Sequence, residues 1–463
     1  MTPPPADVVI IGAGVVGTAI ARTLAQYSLD LVLVDAADDV GTGTSKANTA
    51  ILHTGFDAKP GSLESRLLAR GSGLLRAYAA AAGIPVERTG ALLVAWTPEQ
   101  LAALPSIEEN ARRNGYLAVR PRPAGELYAR EPRLGPGALG ALEIPDESII
   151  CPWTTPLAFA TEAVGAGVRL MLSARVTGVC SADGVHALAT TRGVVRGRWV
   201  VNAAGLGSDA VDRMFGGGGF TIRPRRGELI VFDKLARPLL RSIVLPVPTA
   251  RTKGVLVAPT VYGNVLLGPT AEDVTDPADT ATTAAGLRGL LAAGRRILPG
   301  LAEEEVTSTY AGLRAATEHA DYQIYADAER RYACAGGIRS TGLSASLGIA
   351  EHVAGLLGSA GLALSARPGH AASPPVMPYI GEAGVRPYQD PDRIAADPAY
   401  GQVVCHCERV TRGEIRDALA SAVPPADFGG LRRRTRAGNG RCQGFYCGAA
   451  VARLLAEAGV PMP

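Results

Sequence analysis

The chain has 463 residues, 47% of them apolar and 19% charged, with a formal net charge of +3. That length can bury large cores and leaves room for roughly two to four domains. The small charge excludes a general electrostatic case for nucleic acid or an anionic membrane as the main partner. No stretch reaches the roughly 18 uninterrupted apolar residues of a membrane span. The opening MTPPPADVVIIGAGVVG lacks the basic start and the long apolar run of a signal peptide, so the chain reads as cytoplasmic. Cys151, Cys180 and Cys334 are scattered singly, as expected of buried, inert thiols in a reducing compartment.

From residue 7, DVVIIGAG is a continuous β-branched run, the pattern of a strand buried on both faces of a parallel sheet, and GAGVVGTAIARTLAQY continues it as a helix. Gly12, Gly14 and Gly17 form GxGxxG at that junction. The first permits the tight turn, the second lets a pyrophosphate approach the backbone, and the third lets helix and strand pack closely with the helix N-terminus toward the phosphates. A second strand, LVLVD, ends in Asp35, 18 residues past Gly17, where a carboxylate accepts ribose hydroxyls. This fingerprint does not separate NAD from FAD.

Next comes GTGTSKANTAILHTGFDAKPG (41–61), dense in Gly, Thr, Ser and Asn, with no room for an ordinary crossover helix. It is suited to run along an extended cofactor. RWVVNAAGLGSD (198–209) and YACAGGIRSTGLSASLGIAEHVAGLL (332–357) return to the same strand-then-glycine-turn pattern, as a chain wrapping one large ligand does. Between them, alternating patterns such as GELIVFDK and GVLVAPT predict a further sheet.

GAGVVG, NTAILHTGFDAKPG, VVNAAG, PTVYGNVLLGPTAED and AGGIRSTGLSAS occur in this order and resemble the FAD-dependent oxidoreductases of the D-amino-acid-oxidase type. The branch they are most similar to contains the anaerobic glycerol-3-phosphate dehydrogenases and the L-2-hydroxyglutarate oxidases. The resemblance implies an α/β fold with a glutathione-reductase-like, Rossmann-type FAD domain, an antiparallel-sheet substrate domain and a small third domain. The expected boundaries are 1–85, 150–220 and 326–366 for FAD, 86–149 and 221–325 for substrate, 367–400 for a linker, and 401–463 for the rest. The resemblance also implies that Gly12, Gly14, Gly17, Asp35, Thr44, Ser45, Asn48, Thr49, Val176, Gly205, Gly337, Arg339, Thr341 and Gly342 lie along FAD. Relatives commonly carry Glu at Asp35 and His at Tyr262.

Arg314 and Arg339 fall in segments that the resemblance places near the flavin ring, and Tyr262 is a further candidate for substrate contact. Two guanidinium groups favour an anionic substrate. His53 is the candidate base for the hydroxyl proton, or else a flavin or backbone contact. The helix starting near Thr341 points its positive end at the flavin. His186, His319, His352 and His370 receive no role.

From Arg367 the composition changes: seven prolines in 35 residues mark a linker or an extended strap. The module beyond holds Cys405 and Cys407 as CxC, and Cys442 and Cys447 as CxxxxC. Four thiolates can close a tetrahedral site or hold two irons. CxC argues against zinc, and short strained bridges argue against disulfides. CHCERVTRGEI with RTRAGNGRCQGFYCG resembles the [2Fe-2S] domain named after bacterioferritin-associated ferredoxin, which implies all four cysteines as ligands. Thr411 and Glu414 predict a capping box, and the helix after Cys447 directs its positive end at the cluster. His406 reads as a surface group, and RRRTR, Arg432–Arg436, as a solvated face.

The expectation is an FAD-dependent dehydrogenase acting on a small anionic hydroxy substrate, either a 2-hydroxy acid or a polyol phosphate such as glycerol 3-phosphate. Electrons then leave through the cluster to a partner protein or quinone, with further subunits and a membrane reached only through a partner. Two alternatives stay open: oxidation of a C–N bond in an amino acid or opine, and a tail that only docks a multi-subunit complex.

Overall fold

A computed structural model describes residues 4–248, 254–369 and 373–461; His370 lies outside them. The first strand, β1 (Ala6–Ile11), pairs in parallel with β2 (Leu31–Val34) on one side and with Gly193–Asn202 on the other. Arg169–Met171 extends this sheet beyond β2, and Tyr332–Gly336 extends it beyond Gly193–Asn202, both in parallel. Along β1, Val8 and Ile10 enter one core while Val9 and Ile11 enter another. This accounts for the unbroken apolar run, because neither face of the strand meets water. The antiparallel strands Val176–Ala182, Val185–Thr190 and Gln323–Asp327 complete the sheet. Helix α1 (Val15–Leu24) packs with helices Thr154–Gly165 and Gly342–Ser359 in the larger core, with Leu63–Ala82 behind the last.

A second sheet runs in the order Val306–Ala316, Arg223–Phe232, Val265–Gly268, Leu256–Pro259, Ile243–Pro246, Ala91–Ala95, Gly140–Ile144, Arg120–Pro123. It is antiparallel as expected, except where Ile243–Pro246 lies parallel to Ala91–Ala95. A three-stranded ribbon of Ile51–Leu52, Ser148–Ile150 and Val86–Glu87 adds to this framework.

The proline-rich stretch is a strap. Met377 donates its N–H to Ala82 O, Glu382 donates its own to Val261 O, and Ile380 is buried in the main core. After it, helices Arg412–Leu419, Phe428–Thr435 and Gly448–Glu457 close over Val410, Ile415, Leu431, Val451 and Leu455. Thr411 and Glu414 form the reciprocal cap on the first of these helices.

Two expectations are corrected. Cys180 is exposed, because it lies on an edge strand, Val176–Ala182, of which little is buried. The arginine run is no solvated face: Arg434 and Arg436 are buried, and Arg433 and Arg434 both reach the buried Asp39 at 2.7 Å. Among the described residues, no helix is long and apolar enough to cross a membrane.

Candidate functional site

The turn after β1 is set by Gly12, whose φ of +106° no side chain adopts cheaply and where an added Cβ would strike Ala203 O. Helix α1 at Gly14 and Gly342–Ser359 at Thr341 begin without side-chain caps or acidic first-turn residues, as do Thr154–Gly165 and Gly448–Glu457. Helices starting at Ser62, Thr97, Thr283 and Asp427, by contrast, carry side-chain caps. Uncapped N–H groups on an apolar helix leave donors and positive potential for an anion. At Gly14 an added Cβ would meet only Ser45 Oγ, at 3.3 Å, and Gly17 packs against Gly12 O.

Asp35 directly follows β2, and its carboxylate accepts from Ala13 N and Ala37 N. Burial pushes this carboxyl up against those backbone bonds, and its remaining lone pairs suit ribose hydroxyls. Val176 begins its strand two residues after Ala174, whose N–H bonds Asp35 O. Gly205 and Gly337 take positive φ in the turns after their strands.

The segment 44–50 joins the start of α1 to the second sheet. Ser45 Oγ accepts from Val15 N at 2.9 Å, Thr44 Oγ1 donates to Leu313 O at 2.7 Å, and Asn48 O accepts from Tyr310 OH at 2.7 Å. Thr49 is half-buried beside them. Ala47 O presses on Gly312 so closely that a Cβ there would collide with it. These contacts bring Thr44, Ser45 and Asn48 to the strand that carries Arg314.

Arg314 stands directly across the strand pair from Arg225. Arg225 has Asp273 at 2.6 Å, whereas Arg314 donates only to Thr270 O at 3.4 Å and makes no ion pair among the described residues. Desolvation, and then the Arg225 charge, push the Arg314 guanidinium below its ordinary range. A half-buried, desolvated cation facing a like charge is suited to an anion from outside. Arg339 lies half-buried before the uncapped helix and donates to Ala320 O. Thr341 leaves that helix uncapped because its hydroxyl donates to Glu64 at 2.7 Å and bonds Tyr322 at 2.6 Å.

His53 has a partner that the sequence does not announce. Leu52 pairs with Ser148 in antiparallel register, so the next residues outward, His53 and Glu147, face each other. His53 Nδ1 lies 3.0 Å from Glu147 Oε2. The other oxygen of Glu147 accepts from Thr54 N at 2.6 Å and Thr54 Oγ1 at 2.9 Å, and the carboxylate is fully buried. The only signal for it in the sequence is an acid bordering the apolar strand SIIC.

Tyr262 is placed in a different set of contacts. Its ring stacks on Trp153 at 5.0 Å, its hydroxyl meets Cys151 Sγ at 3.0 Å, and Arg436 covers it at 4.1 Å.

In the tail, the Cys407 thiol lies beside Cys442 and the Cys447 thiol beside Cys405. Among the described residues, no group of three or more ligands gathers on one ion position and no cysteine is in a disulfide. Two facing pairs, with two ligands for each of two irons, fit a binuclear cluster better than one tetrahedral zinc. Gly440 allows the chain to pass Cys407, where an added Cβ would collide, and Gly438 N approaches Cys405 Sγ at 3.5 Å. Burial pushes the Cys447 thiol up to about 12, while N–H groups led by that of Tyr446 hold Cys442 below the usual thiol range. The helix Gly448–Glu457 begins at Cys447 without a side-chain cap, which suits an anionic cluster.

A Rossmann-type turn, a second sheet meeting it through one polar segment and a four-thiol module define a dinucleotide-dependent redox enzyme with a metal cluster. The chain belongs to the FAD dependent oxidoreductase family, whose model matches residues 7–356, and residues 403–457 match the BFD-like [2Fe-2S] binding domain. Its cofactors are FAD and a [2Fe-2S] cluster. It is 34% identical to a glycerol 3-phosphate dehydrogenase of Caloramator mitchellensis over 98% of this chain and 95% of that one. It is 28% identical to a glycerol 3-phosphate oxidase of Mycoplasma pneumoniae over 76% of this chain and 94% of that one. The FAD-bound L-alpha-glycerophosphate oxidase of Mycoplasma pneumoniae superposes with a TM-score of 0.76 at 26% identity, covering 80% of this chain and 98% of that one. The human mitochondrial L-2-hydroxyglutarate dehydrogenase is 29% identical over 57% of this chain and 60% of its own.

Proposed function

We propose that this chain is a dehydrogenase that oxidises the secondary alcohol of glycerol 3-phosphate, its electrons leaving through the [2Fe-2S] segment. The observation that carries this is Arg314: desolvated, opposite Arg225 and without a carboxylate among the described residues, it is suited to a dianionic phosphate. The relative that spans 98% of the chain is a glycerol 3-phosphate dehydrogenase. Almost the whole Mycoplasma oxidase, 94%, is matched by 76% of this chain, so the cluster segment goes with the dehydrogenase and not with direct oxidation by oxygen.

FAD supplies a hydride acceptor and the cluster a one-electron acceptor. His53 takes the hydroxyl proton, and Glu147 beside its Nδ1 at 3.0 Å fixes the ring. Arg314 anchors the phosphate, with the half-buried Arg339 as the second guanidinium. Phe445 and Tyr446, 84% and 77% exposed between ligands Cys442 and Cys447, are suited to an electron-accepting partner protein. We place the reaction in the cytoplasm, at a membrane only through that partner.

The test is a panel of glycerol 3-phosphate, L-2-hydroxyglutarate, lactate and amino acids assayed with an artificial dye. Glycerol 3-phosphate should give the highest kcat/KM; a higher value for L-2-hydroxyglutarate would replace the phosphate reading with the 2-hydroxy-acid one.

A further inference from the structure

The cluster segment is held to the body by two kinds of contact. One is ionic: Asp39 receives Arg433 and Arg434, and Glu408 receives Lys234 at 3.2 Å. The other is a buried stack. Arg436 is 3% exposed and its guanidinium lies 4.1 Å from the Tyr262 ring centroid, with Trp153 beyond at 5.0 Å from Tyr262. At the cluster end, Arg436 Nε donates to Glu408 at 2.8 Å, and Glu408 directly follows Cys407. At the other end, Trp153 Nε1 donates to Lys46 O at 3.1 Å, and Lys46 directly follows Ser45 of the cofactor segment. Each step of this path, from thiol loop to cofactor loop, is a contact already in place.

Arg436 closes its helix with φ +72°, the left-handed position where glycine or asparagine is the ordinary choice. An arginine held there costs backbone strain that the surroundings must over-determine. Its side chain, then, matters at this position. Tyr262 is equally fixed, 6% exposed with its hydroxyl on Cys151.

We infer that the Trp153–Tyr262–Arg436 stack is the coupling element between the two cofactor sites, with Tyr262 as its central positioning residue. This deepens the proposed function and rests on its electron route. One electron crosses at a time, twice per substrate oxidised. No bond in the stack forms or breaks, and the electrons end on an external one-electron acceptor. Burial, and then the neighbouring Cys151, push the Tyr262 phenol well above its ordinary range, so the ring keeps its proton and serves as packed medium. Electron tunnelling weakens steeply across gaps, and a close-packed ring leaves none.

Photoreduction of the flavin in the anaerobic holoenzyme tests this without any assumption about substrate. Cluster reduction is followed by low-temperature EPR, and docking of the tail by its cleavage with trypsin in cofactor-free protein. Tyr262→Leu should slow cluster reduction at least tenfold with trypsin resistance retained, and Tyr262→Phe should stay within twofold of the wild type. Asp39→Asn should loosen the tail yet slow cluster reduction less than Tyr262→Leu. Wild-type cluster reduction in Tyr262→Leu, or equal slowing in the two variants at equal trypsin sensitivity, overturns the inference. A wild-type cluster that stays oxidised while the flavin is reduced removes the proposed electron route and the inference with it, whereas a wrong substrate leaves the photoreduction result unchanged.

Discussion

Glu147 Oε2 lies 3.0 Å from His53 Nδ1 across an antiparallel pair, and the same carboxylate receives the N–H and hydroxyl of Thr54. The ring is thereby fixed from behind, as a general base requires. His53→Ala should lower kcat by on the order of 10²–10⁴. Glu147→Gln keeps the shape but loses the anionic acceptor, so it should lower kcat by a smaller factor with KM nearly unchanged. Steady-state kinetics of both variants with saturating dye checks this; a Glu147→Gln enzyme with wild-type kcat removes Glu147 from the mechanism.

Arg314 should act through substrate binding. Hydrogen bonds to charged groups are worth about 1.5–3 kcal/mol, so Arg314→Ala should reduce kcat/KM for glycerol 3-phosphate roughly 10- to 100-fold. Most of that loss should fall on KM. Arg314→Lys should recover part of it, because the charge returns without the planar fork.

The glycine turn and the cysteines are legible in the sequence because their chemistry is local. Gly12, Gly14 and Gly17 act within one turn, and Cys405/Cys407 and Cys442/Cys447 each lie within a single loop, so spacing shows a dinucleotide turn and a four-thiol site, while FAD and the [2Fe-2S] cluster are read from the resemblance. His53 is visible as a candidate and Glu147 is not, because their contact spans 94 residues and exists only through the Leu52–Ser148 register. The run Arg432–Arg436 misleads for the same reason. Charge patterning cannot show that Asp39, 394 residues from Arg433, is buried and waiting for it. The single parallel pair in the second sheet depends on how Ala91–Ala95 meets a strand some 150 residues later, which no local pattern encodes.

The Asp39 clamp sets a pH limit on docking. Burial alone would raise this carboxyl, but the Arg434 hydrogen bonds and the charges of Arg434 and Arg433 outweigh it and hold the group below the usual carboxylate range. A carboxyl depressed on folding contributes stability above its unfolded value, near 3.9, and loses it as pH falls through the lower folded value. Docking should therefore hold from neutral pH down to about 4 and fail below that. Asp39→Ala should already loosen the tail at pH 7, since leaving a buried charge unpaired costs about 3–5 kcal/mol. Hydrogen exchange of residues 428–436 reads both effects.

Gly12→Ala should abolish FAD binding. The substitution places a side chain at φ +106° and against Ala203 O, so the turn that presents Gly14 and the start of α1 must shift. The flavin absorbance per chain after purification should fall to near zero, whereas Gly43→Ala, where a Cβ meets nothing within 4 Å, should retain it.

The central claim is that one polypeptide carries electrons from an oxidised alcohol to iron held by Cys405, Cys407, Cys442 and Cys447. Anaerobic addition of glycerol 3-phosphate to the holoenzyme, with iron analysis, visible absorbance and EPR on one sample, tests it most directly. The account predicts about two irons per chain, bleaching of the flavin bands and the appearance of a signal from the reduced cluster. Zinc in place of iron at full dye-linked activity, or a bleached flavin beside a cluster that stays oxidised, would contradict it.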